Sequence, residues 1–546
     1  MDAFDPESLP LIELTIPRVW QRQARQFADK VFLNELWTGR TFTYREMDLW
    51  CGRVANALRQ IGVRHGSHVG VLMENSAEHV AAFFGIGKIG AVSVPVNTAA
   101  RGELLRYYLS QSECTTVIVD ASLLGRLGEI LAELPLLARI VVVGDHQEDV
   151  GTWTARRSLD LHDFQAMLEG AQAEPPDTEI KCHDLLMLAF TSGTTGPSKA
   201  SMLSHAAALT YGTGAAEAQS YRTSDVFYVC LPLFHNNALL ASLGSALVCG
   251  ASVVLSRRFS VTHFWSDIRD SGATITNLLG AMTSFLWSVP PQADDRDNKL
   301  RLISMAPVPK YARDFEERFG LDVMSNYGLS DFGMATSYTS LDPKTKLGSI
   351  GRPRRGSQVK IVDDHDFELP HGQAGEIVLR CDEPWRAALG YYRMAEATLV
   401  AHRNQWFHTG DRGIRDEDGY IWFVDRKKDC IRRRGENISA FEVEQILMRH
   451  PDVAQVAVVA VTTATNDEEV AAVIVKHEGR TLDHKDIIEH CQRNMSYFMV
   501  PRYIQLRDEL PTTVNQKIEK FRIKQELERD ISQAWDREAA GVLVKR

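Results

Sequence analysis

TYREMDLWCGRVANALRQIGVRHGSHVGVLMENSAEHVAAFFGIGKIGAVSVPV, residues 43–96, alternates helical and strand signals. Helical spacing over 43–63 gives way to the strand-like HVGVLM, a second helical run over 76–90 and the strand-like AVSVPV. That order is the signature of an α/β domain, and a largely parallel sheet follows from it. Working outward, TVIVD (116–120), RIVVV (139–143) and VFYVCL (226–231) add further short buried strands between amphipathic helical intervals. NALLASLGSALVCGASVVL (237–255) approaches the length of apolar chain that suggests a membrane span. Its glycines and serines divide it instead into a helix near 239–248, a turn at Gly250 and a β-branched strand, so no membrane span is expected.

Between about 340 and 425 the pattern shortens to strands and turns (QVKIVDD, GEIVLR, DEDGYIWFV), which reads as a β-rich subdomain. A charged connector, DRKKD (425–429), then leads to a helix, AFEVEQILMRH, and two strands, VAQVAVVAV and EEVAAVIVK. The predicted organisation is a large domain over 1–427 and a small α/β domain over 428–546. No internal repeat is evident.

Length and composition agree with a multidomain globular chain: 546 residues, 44% apolar and 24% charged. A net charge of −10 gives no general attraction to nucleic acid, and the only dense basic cluster, Arg432 to Arg434, is too short to bind it. The 8 cysteines form no close pair, so neither a disulfide framework nor a zinc site is indicated and a reducing cytoplasm fits. The acidic start, MDAFDPESLP, has none of the features of a signal peptide.

LAFTSGTTGPSKASMLSH (188–205) crowds small residues, hydroxyls and a lysine between apolar flanks, the chemistry of a phosphate cradle, although a polar linker has the same composition. It is not a Walker A loop, because Ser198 and Ala200 flank Lys199 where glycine and a hydroxyl residue are required. Four distant stretches complete a pattern: PLFHNN (232–237), SNYGLSD (325–331), HTGD (408–411) with DRKKD, and PTTVNQKIEK (511–520).

In this order the chain resembles the acyl-adenylate-forming superfamily over essentially its whole length, and IRRRGENISAFEVEQILMRHP (431–451) resembles the crotonobetaine/carnitine-CoA ligase branch. The resemblance implies an ATP-dependent acyl-CoA ligase. A small or medium carboxylic acid, carnitine-like in that branch, is joined to AMP with loss of pyrophosphate, then transferred to coenzyme A. Two other readings stay open: a stand-alone enzyme loading a carrier protein, and a non-catalytic nucleotide-binding descendant. Homo-oligomerisation is likewise open.

Carried over residue by residue, Thr191, Ser192, Gly193, Thr194, Thr195, Gly196 and Lys199 would hold the β- and γ-phosphates. Ala306, Pro307, Asn326, Tyr327, Gly328 and Ser330 would surround the adenine and phosphates, while Asp411 and Arg426 would bind ribose. Asp331 stands where the family has a magnesium-binding glutamate, so Mg²⁺ is implied with a side chain one methylene shorter. Lys428 would be the hinge of a small mobile domain, and Lys517, preceded by Gln516 where glycine is usual, would bridge the α-phosphate and the attacking carboxylate. Gly435 would line the coenzyme A path, and His235 would gate it as a second catalytic candidate. The acyl pocket is assigned to Asn236, Asn237, Gly280, Phe332 and Gly333, its asparagines pointing to a polar feature on the acid.

Overall fold

The computed structural model describes residues 4–145, 159–191, 198–426, 430–463, 467–477, 479–511 and 518–544. The opening segment folds as read. Thr43 and Glu46 form a reciprocal capping box that starts the helix Tyr44–Gln60. Ser76 caps the helix Ala77–Lys88, which is buried on every side. The strands that precede and follow this helix, His68–Leu72 and Val92–Pro95, pair in parallel.

They belong to a seven-stranded sheet that is parallel except at the edge, where Lys199–Ser204 runs antiparallel to Leu185–Thr191. A second sheet of nine strands is parallel through its centre, with antiparallel strands Arg40–Thr43, Gly333–Tyr338 and Arg352–Pro353 toward its edges. The main core lies between the two sheets. Val69 and Val71 point into it while Leu72, Val117 and Val119 enter a separate cluster on the other face, as the period of two demands. Tyr228, Val254, Leu278 and Ile303 cover the far face of the nine-stranded sheet against the helices Phe264–Ser271 and Ala312–Phe319.

Residues 237–255 form a π-helical stretch, Asn237–Gly244, that continues as the helix Ser245–Cys249. A left-handed turn at Gly250 follows, φ +70°, where a Cβ would lie 2.2 Å from the Phe27 ring. The strand Ser252–Leu255 then enters the nine-stranded sheet as the third strand from one edge. No helix among the described residues is long and apolar enough to cross a membrane.

The β-rich subdomain is a four-stranded antiparallel sheet, Ser357–Val362, Ala374–Cys381, Phe407–Arg415 and Ile421–Arg426. The C-terminal part combines a hairpin, Cys430–Arg433 with Glu436–Ser439, and a four-stranded sheet with helices on both faces. Along Val453–Thr462, Val456 and Val458 pack toward the helices Ala440–Leu447 and His484–Asn494. Ala457 and Val459 pack toward the helix Lys520–Arg529. The fold is therefore the expected α/β class, with a large mixed-sheet part, a β subdomain and a small α/β part. The proposed boundary at residues 427 and 428 lies outside the described residues.

Candidate active site

The edge of the seven-stranded sheet, the strand Asp322–Leu329, the β subdomain and the C-terminal hairpin converge on a cavity of about 720 Å³. Thr191 and Lys199 face each other across the antiparallel edge, so the chain leaves and re-enters the sheet at one point. The Lys199 ammonium sits 4.8 Å over the Tyr391 ring. Tyr391 in turn donates its hydroxyl to Asp331 Oδ2 at 2.5 Å. Burial and the adjacent Asp331 carboxylate push the Tyr391 phenol well above its ordinary range, so it remains a donor.

Asn326, Tyr327 and Gly328 lie on the strand Asp322–Leu329. Asn326 is fixed by three neighbours: its Oδ1 accepts from Gln219 Nε2 at 2.9 Å and Ser337 Oγ at 2.7 Å, and its Nδ2 donates to Ser304 Oγ at 3.4 Å. Gly328 is required by close approach, since a Cβ there would meet the Gly333 carbonyl oxygen at 2.5 Å. Tyr327 donates its hydroxyl to Asp411 Oδ2 at 2.8 Å, joining the expected adenine and ribose residues into one unit.

Asp411 is 1% exposed and rides on the turn at Gly410, φ +73°, whose N–H donates to Glu376 Oε1 at 3.1 Å. Burial opposes a charge on Glu376, but the buried His408, the Gly410 N–H and Arg403 outweigh it and bring the carboxyl down to about 2. The turn that presents Asp411 is thus anchored on a permanent anion.

At the other end, His235, Asn236 and Asn237 line the cavity beside Leu279 and Met334. Asn277 Nδ2 donates to Asn237 Oδ1 at 2.8 Å and to Ser242 Oγ at 2.9 Å, which makes this floor polar. The C-terminal hairpin closes the space. His235 Nε2 is 3.4 Å from Glu436 Oε2, and a Cβ on Gly435 would lie 2.7 Å from Leu279 Cδ1. Arg432 Nη2 donates to the Ala306 carbonyl at 3.1 Å. From the following helix, Glu442 Oε1 accepts the Ser198 N–H at 2.8 Å. Burial raises the Glu442 carboxyl to about 7 against the pull of its hydrogen bonds to Ser198.

Of the residues expected from sequence, Thr191, Lys199, His235, Asn236, Asn237, Asn326, Gly328, Ser330, Asp331, Asp411 and Gly435 border this one cavity. Tyr327 reaches it through Asp411. Gly280 lies against Pro307, where a Cβ would come within 3.0 Å of the Pro307 ring, and neither this pair nor Ala306 is among the residues that border the cavity. Phe332 and Gly333, expected in the acyl pocket, are not among the residues that border it. Phe332 is 3% exposed and packs on Phe407 in the β-subdomain core, because the chain turns at Gly333, φ +133°, and delivers Met334 to the cavity instead. Ser192, Gly193, Thr194, Thr195, Gly196, Lys428, Lys517 and the side chain of Arg426 lie outside the described residues. Ile518, the neighbour of Lys517, packs with Ala457 and Val459, on the sheet face opposite the one carrying Glu442.

Sequence reasoning missed Glu436, Glu442 and Tyr391. The first two sit inside ENISAFEVE, where Ser439 and Glu442 have the spacing of a helix cap; Glu442 N–H does donate to Ser439 Oγ at 3.3 Å, while its carboxyl reaches across to Ser198. Tyr391 has no local signal, since only the fold sets it beside Asp331.

The AMP-binding enzyme family model matches residues 20–392, and the AMP-binding enzyme C-terminal domain model matches residues 442–517. A crotonobetaine/carnitine–CoA ligase of Salmonella paratyphi A is 30% identical over 521 residues, covering 93% of this chain and 98% of the relative. An anthranilate CoA ligase, solved with anthranoyl-AMP, superposes with a TM-score of 0.72 at 26% identity, covering 97% of this chain and 100% of that one. An o-succinylbenzoate CoA synthetase from Bacillus subtilis gives 0.79 at 23% identity over 93% and 98% of the two chains, a likeness of fold. The chain belongs to the AMP-binding enzyme family, among the AMP-forming acid–CoA ligases.

Proposed function

We propose that the protein converts a small or medium carboxylic acid, carnitine-like or otherwise bearing a polar group, into its coenzyme A thioester through an acyl-adenylate. The observation that carries this reading is the convergence of Lys199, Asp331 and Asp411 with the polar floor at Asn237 and the narrow Gly435 approach on a single cavity.

Each group has a task. Asp411 accepts the ribose hydroxyls, with its second oxygen held by Tyr327. Lys199 neutralises phosphate charge, and the Tyr391 face beneath it limits where that charge can sit. Asp331 has one oxygen engaged by Tyr391 and offers the other to the cavity. One carboxylate oxygen plus phosphates and waters is a donor set that suits Mg²⁺, which would screen the phosphates of ATP there. Asn237, clamped by Asn277, gives the acid a polar contact. The walls exclude water from the reactive anhydride.

Lys517 is assigned to the first half-reaction, where a cation between α-phosphate and carboxylate counts most in the transition state. Gly435 is assigned to the second, where coenzyme A enters, and His235 with Glu436 borders the thiol's entrance. Gly435 faces the cavity while Ile518 packs on the other side of the C-terminal sheet, which supports a swing of that part about Lys428 between steps. A reducing cytoplasm suits the seven described cysteines, all present as thiols.

The test is acid-dependent pyrophosphate release over carnitine-like, short aliphatic, alicyclic, aromatic and steroid-derived acids, with thioester detected by mass. Release and thioester with one class identifies the substrate. Release without thioester replaces the ligase by a carrier-loading enzyme, and no release with any acid removes both.

A further inference from the structure

The polar floor of the cavity presents donors, and the hydrogen-bond chain behind it says why. Residues Asn237–Gly244 wind as a π-helix, which sets Ser242, five residues on, beneath Asn237. The Ser242 hydroxyl has one proton, and it goes to the main-chain carbonyl of Asn237 at 3.1 Å. Its oxygen then accepts from Asn277, whose facing atom at 2.9 Å is Nδ2. The second hydrogen of that nitrogen goes to Asn237, so the Asn237 atom 2.8 Å away is Oδ1. Asn237 borders the cavity, and the polar atom it has left, its Nδ2 donor, has no hydrogen-bond partner among the described residues. Asn236 adds a second donor: it is 8% exposed, borders the cavity beside the Tyr211 phenol, and its Nδ2 makes no hydrogen bond. Tyr211 spends its own proton on the Leu329 carbonyl at 2.6 Å. The charge behind this floor has the same sign as the donors. Arg354 donates its Nε–H to the carbonyl of Met334, another bordering residue. Its guanidinium lies against the helix His205–Ala218, where a Cβ on Gly214 would come within 3.2 Å of it, and it acts on the phenol of Tyr211 from that helix. No carboxylate among the described residues forms an ion pair with Arg354, and Glu217, which acts on it from farther off, pairs with Arg355 at 3.7 Å.

We propose that the acid activated in this cavity carries a neutral carbonyl oxygen, keto or amide, where it reaches Asn237, and that acids ending in a quaternary ammonium group are rejected. This rests on the function proposed above and decides between the two kinds of acid it admits. Two amide N–H groups suit the two lone pairs of a carbonyl oxygen, and without such an acceptor each stays a donor unpaired by protein. A trimethylammonium group would meet the positive ends of those N–H dipoles, with the Arg354 charge behind them. Nothing at this end offers it a free counter-charge: among Tyr211, Phe234, Asn236, Asn237, Ala241 and Met334 none is acidic. Glu436, which arrives from the C-terminal hairpin, is engaged by His235 at 3.4 Å. An aromatic face attracts such a cation, so Tyr211 and Phe234 oppose the donors, but two unpaired amides and a full charge outweigh two rings.

Isosteric pairs of acids test this through pyrophosphate release. The oxo acids from 4-oxopentanoate to 7-oxooctanoate are each compared with the methyl-branched acid of the same shape, and 4-(trimethylammonio)butanoate with 5,5-dimethylhexanoate. In the native protein the best oxo acid is expected to exceed its isostere about tenfold in kcat/KM, the size of one buried hydrogen bond. The trimethylammonio acid is expected to fall at least about tenfold below its carbon isostere by the same measure. Asn237→Asp keeps the oxygen held by Asn277 and puts a carboxylate oxygen in place of the NH₂ group. That variant is expected to lose the oxo preference and to favour the trimethylammonio acid over 5,5-dimethylhexanoate, a reversal that a purely structural role would not produce. Where the variant does not fold, the two native ratios decide. The proposal is overturned by oxo acids no better than their isosteres, by a native preference for the trimethylammonio acid, or by preferences that do not move in Asn237→Asp. It is equally overturned if no oxo acid releases pyrophosphate from a protein that activates other acids. Absence of release with every acid of every class would instead remove the proposed function itself.

Discussion

Replacing Gly435 by alanine should damage one half-reaction and spare the other. Gly435 has φ +91°, and a Cβ built there lies 2.7 Å from Leu279 Cδ1 and 3.3 Å from Leu279 Cβ. Two costs follow, and they act differently. The left-handed backbone disfavours alanine by about 1–2 kcal/mol, but that strain stays within the hairpin wherever the C-terminal part sits, so it cancels between the two arrangements. The contact with Leu279 exists only when the hairpin covers the cavity. Overpacking of this kind costs about 1–3 kcal/mol, which lowers the population of the docked state about 5- to 150-fold. In single-turnover measurements, Gly435→Ala should slow conversion of acyl-adenylate to thioester by that factor and leave pyrophosphate release within about twofold of the native protein. Adding Leu279→Ala makes room for the methyl group and should recover much of the loss. Equal slowing of both half-reactions, or no recovery in the double variant, would refute the reasoning.

Lys517→Ala should abolish adenylation while thioester formation from added acyl-adenylate persists; comparable loss of both would remove Lys517 from the first step. Glu376 is ionised at a folded value of about 2 against 4.5 for the ordinary carboxyl. Its charge therefore contributes up to about 3 kcal/mol of stability above pH 4.5, lost as pH falls toward 2. Glu376→Gln should lower neutral stability and flatten the acid limb of a pH-dependent unfolding series, and an unchanged acid limb would show that the Gly410 turn is anchored otherwise. Asn237→Leu should reduce activity with polar acids about tenfold more than with apolar acids of equal length, consistent with the loss of a buried hydrogen bond. A uniform decrease across the panel would place Asn237 in a structural role.

Much of the molecule was legible in the chain because the signals were local. The helical and strand periods of residues 43–96 carry the α/β class, and the β-branched run after Gly250 carries a strand paired on both sides within its sheet. The motif residues around Lys199, Tyr327, Asp331 and Asp411 were identifiable because their spacing resembles a known pattern, and the fold joins Tyr327 to Asp411 by a hydrogen bond and sets both Lys199 and Asp331 against Tyr391. What could not be read depends on segments meeting over long distances. Glu442 resembles a helix cap, and its contact with Ser198 exists only because the C-terminal part lies on the sheet edge. Tyr391 is an aromatic in a turn until it is seen between Lys199 and Asp331. Phe332 shares a motif with Asp331, yet a turn of one residue sends its ring to a different core.

The alternation along Val453–Thr462 has a consequence for how such a chain can be tuned. Val456 and Val458 support the elements that bear Gly435 and Glu442, whereas Ala457 and Val459 support the helix that follows Lys517. On the roles proposed for Gly435 and Lys517, adjacent codons of one strand would address different chemical steps. A directed library confined to the first pair would explore thiol transfer, and one confined to the second would explore activation of the acid, so that selection can alter one step of the reaction without rebuilding the other.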